Sequence, residues 1–209
     1  MPTEGDGEIA ASSSADSNPV STSATTGLHP TPIAVVIDAN LWHKHLNVDR
    51  LAAHAARLQK SGIDVWVPEQ VALEWAEHAH EEIQQIAERW KKPEVAGICG
   101  PLPGPSSIHD VVATVIEILQ SIPNVKVIEM TGAAAIAGIK DQILKTGSGK
   151  RENGVKTGAS DSSFVRDALA AAGDDPSKVL FVSGNTRDIE AAAAAAGHTH
   201  VNSTKESRL

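Results

Sequence analysis

Apolar positions run unbroken from Ile33 to Ile37, are rich in β-branched residues, and stop at Asp38-Ala39-Asn40. A short run of this kind, closed by turn-forming residues, reads as a central parallel strand covered on both faces. Asp38 then sits at its carboxyl end, the edge at which open α/β sheets bind ligands. A carboxylate there is partly desolvated, which is costly unless positive charge meets it. Further strands are expected at IDVWV (63–67), VKVIEM (125–130), KVLFVS (178–183) and a short HTHVN (198–202). Between them the apolar period becomes helical. Val48, Leu51, Ala55 and Leu58 place a helix over 47–61, closed by Gly62. Pro68 opens a long helix to Trp90, with Val71, Trp75, His78 or Ala79, Ile83 and Ile86 roughly on one face. A helix over about 106–121 turns Ile108, Val111, Val112, Val115, Ile118 and Leu119 inward, and others are expected over 133–145, 160–173 and 186–196. Strands alternating with helices define an α/β fold with a mainly parallel sheet of about five strands. Right-handed crossovers would bring the carboxyl ends of the strands to one edge.

The remaining stretches lack such periods. Residues 1–30 are Ser, Thr, Ala, Gly and acid, and cannot bury enough surface to offset chain entropy, so a disordered tail is expected there. Residues 93–105 hold four prolines and three glycines and read as a loop. Residues 146–159, TGSGKRENGVKTGA, read as a flexible basic connection. The expected organisation is a tail over 1–30, one domain over 31–203 and a short C-terminal tail over 204–209.

Charge changes the picture in one respect. The net charge is -8, and half of it lies in the tail, which carries Glu4, Asp6, Glu8 and Asp16 and no Lys or Arg. An acidic balance argues against an extended basic nucleic-acid surface. It leaves room for a nuclease whose negative charge is concentrated at a metal site. Cys99 is the single cysteine, so no internal disulfide forms. The polar start MPTEGDGE is no secretory signal, and no apolar run approaches the ~20 residues of a membrane span. A soluble, cytoplasmic protein is expected.

Four acids fall on the carboxyl edge. Asp38 ends the first strand, Glu74 lies in the second turn of the long helix, and Asp161 and Asp188 open two later helices. Clustered carboxylates repel and would partly protonate unless a cation joined them. Oxygen donors without His or Cys point to Mg²⁺ or Mn²⁺, ions that assist phosphodiester displacement. Each acid also has a plain alternative. Asp161 after Ser160 suits a helix dipole, Asn185 with Asp188 resembles a cap with an acid at N3, and Glu74 could be a solvated helix acid.

In VVIDAN, VPEQVALEW, KTGASDSSFVRDAL and FVSGNTRDIEA, in that order, the chain resembles the PIN domain, a family of small metal-dependent nucleases with a Rossmann-like three-layer fold. The likeness spans about residues 32–202, and its Asn-Thr-Arg-Asp is similar to the branch that carries Asn-Thr-Lys-Asp. The resemblance implies an endoribonuclease in which Asp38, Glu74, Asp161 and Asp188 hold the metal, directly or through water. It implies that Ser183 and Asn185 line the site and that Asn40 orients Asp38 or a water. Many members have an acid where Asn185 stands. Lys156 and Arg187 would lie near enough to meet phosphate, and Lys91, Lys92, Lys140, Lys145, Lys150 and Arg151 are further candidates for RNA contact. Among toxin members of the family an antitoxin would cover the site, and a homodimer is a further partner to be expected.

Two rival readings stay open. A catalytically silent PIN fold that only binds would suit the missing acid at Asn185. A haloacid-dehalogenase-type phosphatase would need an acid where Asn40 stands. Gly147-Ser148-Gly149-Lys150 is not a P-loop, because Leu144 and Arg151 stand where Gly and Ser/Thr belong. The pairs His43/His45, His78/His80 and His198/His200 read as ordinary histidines rather than zinc ligands. Trp42, Trp66, Trp75 and Trp90 read as core.

Overall fold

A computed structural model describes residues 31–205 except 93, 95, 96 and 99–106. The tail expected over 1–30, Cys99, most of the loop expected over 93–105 and residues 206–209 lie outside the described residues, as does the side chain of His43.

Five strands, β1 (Ala34–Ile37), β2 (Asp64–Pro68), β3 (Val125–Ile128), β6 (Val179–Val182) and β7 (Asn202–Thr204), form one parallel sheet in the order β3-β2-β1-β6-β7. Six helices are described: α1 (Val48–Gln59), α2 (Glu69–Trp90), α3 (Ile108–Ser121), α4 (Gly132–Leu144), α5 (Ala159–Ala171) and α6 (Thr186–Ala195). The result is an α/β fold of Rossmann-like, three-layer form. β1 is central and all four of its residues are buried, because a strand flanked on both edges and covered on both faces has no wet side. The chain winds outward from β1 through β2 to β3, then returns to lay β6 on the other edge of β1. The reversal makes a topological switch point between the ends of β1 and β6, where a crevice opens in folds of this kind.

Several expected details differ. Residues 150–157 are not a featureless connection: β4 (Lys150–Glu152) and β5 (Val155–Thr157) form an antiparallel hairpin. Its strands are three residues long, too short for an alternating apolar signal. The last strand lies at 202–204 rather than 198–202. Val48, Ile86 and Ile108 are exposed instead of packed, each near the end of a helix or beyond its neighbour's reach. Trp42, Trp66 and Trp75 are buried, whereas Trp90 is half-buried.

Candidate functional site

Strand register assembles the first part of the site. Ile37 pairs with Val182 in the parallel ladder, so the next residue of each strand, Asp38 and Ser183, emerges beside the other at the switch point. The Asp38 amide donates to the Val182 carbonyl at 3.1 Å. Ser183 Oγ donates to Asp38 Oδ2. Asn40 adds its backbone amide to Oδ1 and its Nδ2 to Oδ2, each at 3.3 Å. Asp38 is only 3% exposed, yet both oxygens are met, as a buried carboxylate requires. The turn beyond it is held from behind. Trp75 Nε1 donates to the Ala39 carbonyl at 3.3 Å, and its ring stacks 6.2 Å from that of Trp42. Trp42 adopts φ 54°, a costly conformation for a bulky residue, which that packing maintains.

The other acids come from three helices. Glu74 lies in the second turn of α2, and Ser160 Oγ donates to its Oε1 at 2.6 Å. Asp161 is the third residue of α5 and Asp188 the third of α6, both in first turns where helix dipoles favour negative charge. Asp188 Oδ2 accepts from Asn185 Nδ2 and, at 2.7 Å, from Lys150 Nζ. The ammonium of Lys150 is held above its usual pKa, chiefly by that bond to Asp188.

Asp161 shows that the four acids share one space. Its carboxyl is pushed up to about 7, first by burial and then by the charges of Asp38, Glu74 and Asp188, with Lys150 opposing. Burial and the neighbouring negative charges thus hold the Asp161 carboxyl back from ionising. The donor set is oxygen only and carries surplus negative charge, which fits a hard divalent cation. As the side chains stand, Asp38, Glu74 and Asp188 are each hydrogen-bonded to a protein partner, and among the described residues no three His, Cys, Asp or Glu side chains are gathered as ligands of one ion.

The structure therefore brings Asp38, Glu74, Asp161, Asp188, Ser183, Asn185 and Asn40 to one edge. Asn185 does not cap α6 with its side chain; it bonds to Asp188 instead. Arg187 is exposed. Lys156 is exposed and pairs across the hairpin with Arg151, so alternation puts both on the face away from Lys150. The basic residue that reaches the acids is Lys150. What places it is the packing of the Gly-Ser-Gly before it. Ser148 is buried, sharing a 2.7 Å bond with Ser162 Oγ and donating at 2.7 Å to the Gly158 carbonyl, while a Cβ on Gly149 would come within 2.1 Å of the Asp141 carbonyl. Small residues seat the root of the hairpin tightly and aim its first side chain at α6.

Compared with models of protein families, with curated proteins and with solved structures, the chain matches none. The class the coordinates define is a parallel α/β sheet with a carboxylate cluster at its switch point.

Proposed function

We propose that the chain is a cytoplasmic, divalent-metal-dependent endoribonuclease of PIN type that uses Mg²⁺ or Mn²⁺. The observation that carries this reading is the meeting of acids from β1, α2, α5 and α6 at the switch point, where the Asp161 carboxyl is pushed up to about 7 first by burial and then by the charges of Asp38, Glu74 and Asp188. Acids drawn from four separate elements to the switch point of a sheet have little structural purpose on their own. Asp38, Glu74, Asp161 and Asp188 would hold the ion, which, when bound, supplies Lewis-acid polarisation of a phosphodiester and a water of lowered pKa. The chain's own residues prepare the place. Ser183 and Asn40 fix the orientation of Asp38, Ser160 fixes Glu74, and Asn185 with Lys150 restrains Asp188. Lys150 is also the cation best placed to meet a phosphate arriving at the acids, with Arg151 and Lys156 exposed further out on the hairpin. RNA is the proposed substrate, and an antitoxin would cover this edge if the chain is the toxin of a pair.

A second reading is favoured by one contact. Lys150 already neutralises Asp188, and Asn185 stands where an acid is common, so a metal-free binding protein built on this fold would look the same. One experiment separates the two: incubation of a mixed RNA pool with Mn²⁺, with and without chelator, using the chain and its Asp38→Asn variant. Cleavage lost under both chelation and substitution, with the variant still folded, supports the nuclease. Intact RNA with the unsubstituted chain across several substrates favours the binding protein.

A further inference from the structure

α4 spends its small residues on its neighbour. Ala134 and Gly138 are buried, and a Cβ on Gly138 would come within 2.3 Å of the Ala159 carbonyl. That approach draws α4 onto α5 and leaves Ile136, Ile139 and Ile143 as an outward ridge. Ile139 thereby forms one side of a groove of about 340 Å³ between α2, α4 and α5, with Leu73 and Met130 as further apolar lining. The volume falls in the ~300–1,000 Å³ range of small-ligand sites. Its walls are tied together. The Met130 amide donates to Glu69 Oε2 at 2.9 Å, and Asp167 accepts from Thr131 Oγ1 at 2.7 Å and from Gln70 Nε2 at 2.8 Å.

The polar groups of this groove are chiefly acceptors. Gln70 lines it and is 5% exposed; its Nε2 is taken up by Ser163 Oγ and Asp167, and its Oε1 has no partner. A buried amide oxygen in that state carries a desolvation cost that an N–H donor removes. Glu77 lies one helical turn beyond Glu74, is exposed, and makes no ion pair among the described residues. Nor does a Lys or Arg line the groove among them. Acceptors without a cation repel a phosphate, yet they suit a flat apolar ring edged with N–H groups. Of the RNA bases, guanine carries two such donors side by side, N1–H and its amino group, which one carboxylate can accept together. Glu74 and Ser160 also belong to this groove, so a nucleotide with its phosphate at the acids has its base within reach of it.

We propose that the groove is a specificity subsite of the crevice and holds an unpaired guanine, with Glu77 and Gln70 Oε1 accepting from its N1–H and amino group and Leu73, Met130 and Ile139 against the ring. The choice of an RNA base rests on the nuclease reading, but the subsite is tested by binding rather than by cleavage.

Amide spectra of the isotope-labelled full chain, titrated with GMP, AMP, CMP and UMP in Mg²⁺, read it directly. GMP is expected to bind about tenfold more tightly than the other three and to shift the amides of Gln70, Leu73, Glu77 and Ile139. Glu77 is exposed, so Glu77→Gln should keep its circular dichroism and melting temperature while the preference for GMP falls to about twofold or less. Equal affinity for the four nucleotides overturns the proposal, as do shifts confined to the hairpin of Lys150 or a preference that survives Glu77→Gln. Shifts of the same amides on raising the chain's own concentration, without nucleotide, would give the groove to a second copy and overturn it too. Guanine preference in a chain that leaves an RNA pool intact supports the subsite and removes the nuclease; cleavage without base preference removes the subsite alone.

Discussion

Lys150 Nζ lies 2.7 Å from Asp188 Oδ2 and 3.2 Å from Glu152 Oε1, joining the hairpin to the first turn of α6. The ammonium stands where a cation would otherwise compensate Asp188. Taking it away should leave the acids more strongly in want of a divalent ion. Lys150→Met is therefore expected to bind Mn²⁺ about tenfold more tightly than the unsubstituted chain, read by isothermal titration calorimetry. Equal or weaker binding would mean that the lysine does not compete for the site.

The raised carboxyl of Asp161 sets a pH dependence with a definite sign. Folded, it holds its proton up to about 7; its ordinary value is 3.8. Between those values the folded chain binds a proton that the unfolded chain has lost, so this group favours folding at low pH and its contribution falls as pH rises through that window. Asp161→Asn should flatten that part of the stability profile and make the chain more stable at pH 8, by an amount on the order of 2 kcal/mol after allowance for water near a half-buried group. Urea denaturation at pH 5 and pH 8 measures both. A variant with the same slope as the parent would show that Asp161 is not the titrating group.

The α/β class and the parallel sheet were legible in the apolar runs, because buried parallel strands leave a continuous signal and the helices between them a 3.6-residue one. The convergence of Asp38, Glu74 and Asp188 on one edge followed from the same alternation, since parallel winding puts every βα turn on one side; Asp161 opens α5 behind the antiparallel hairpin and falls outside that rule. Lys150 as the cation of the crevice was not legible. It depends on a hairpin of three-residue strands, which have too few positions to show a period, and on backbone contacts at Ser148 and Gly158 that composition alone reads as flexibility. The outward ridge of α4 was hidden for a different reason: Gly138 and the alanines hold the α5 contact, and an apolar pattern does not say which face of a helix is covered. Ser160 likewise showed itself beforehand only as the neighbour of Asp161, with nothing to tie it to Glu74.

The hairpin's root offers a test of whether its packing positions Lys150. Gly158 has φ +95°, and a Cβ there would lie 2.0 Å from the Ser148 carbonyl. Gly158→Ala combines left-handed strain with a backbone clash and is expected to cost about 2 kcal/mol or more in urea denaturation. Gly154 at the hairpin tip has φ +84° with nothing within 4 Å of a Cβ, so Gly154→Ala should show the strain alone, about 1 kcal/mol. Equal losses at the two positions would remove the case for a tightly seated root.

Asn185 supplies the sharpest test of the charge argument. Its Nδ2 donates to Asp188 Oδ2, so the amide both satisfies that carboxylate and adds no charge to the crevice. Asn185→Asp replaces a donor with a fifth negative group beside Asp188. Without divalent ions the repulsion should lower the melting temperature by several degrees, equivalent to about 1 kcal/mol. With saturating Mn²⁺ the loss should be recovered, because a bound cation stabilises the folded state in proportion to its affinity and a further carboxylate raises that affinity. The shift produced by Mn²⁺ should therefore be larger in Asn185→Asp than in the parent. Calorimetric melting with and without Mn²⁺ gives all four values. If the metal moves neither protein, the acids at the switch point do not hold a cation, and the nuclease reading falls with that result.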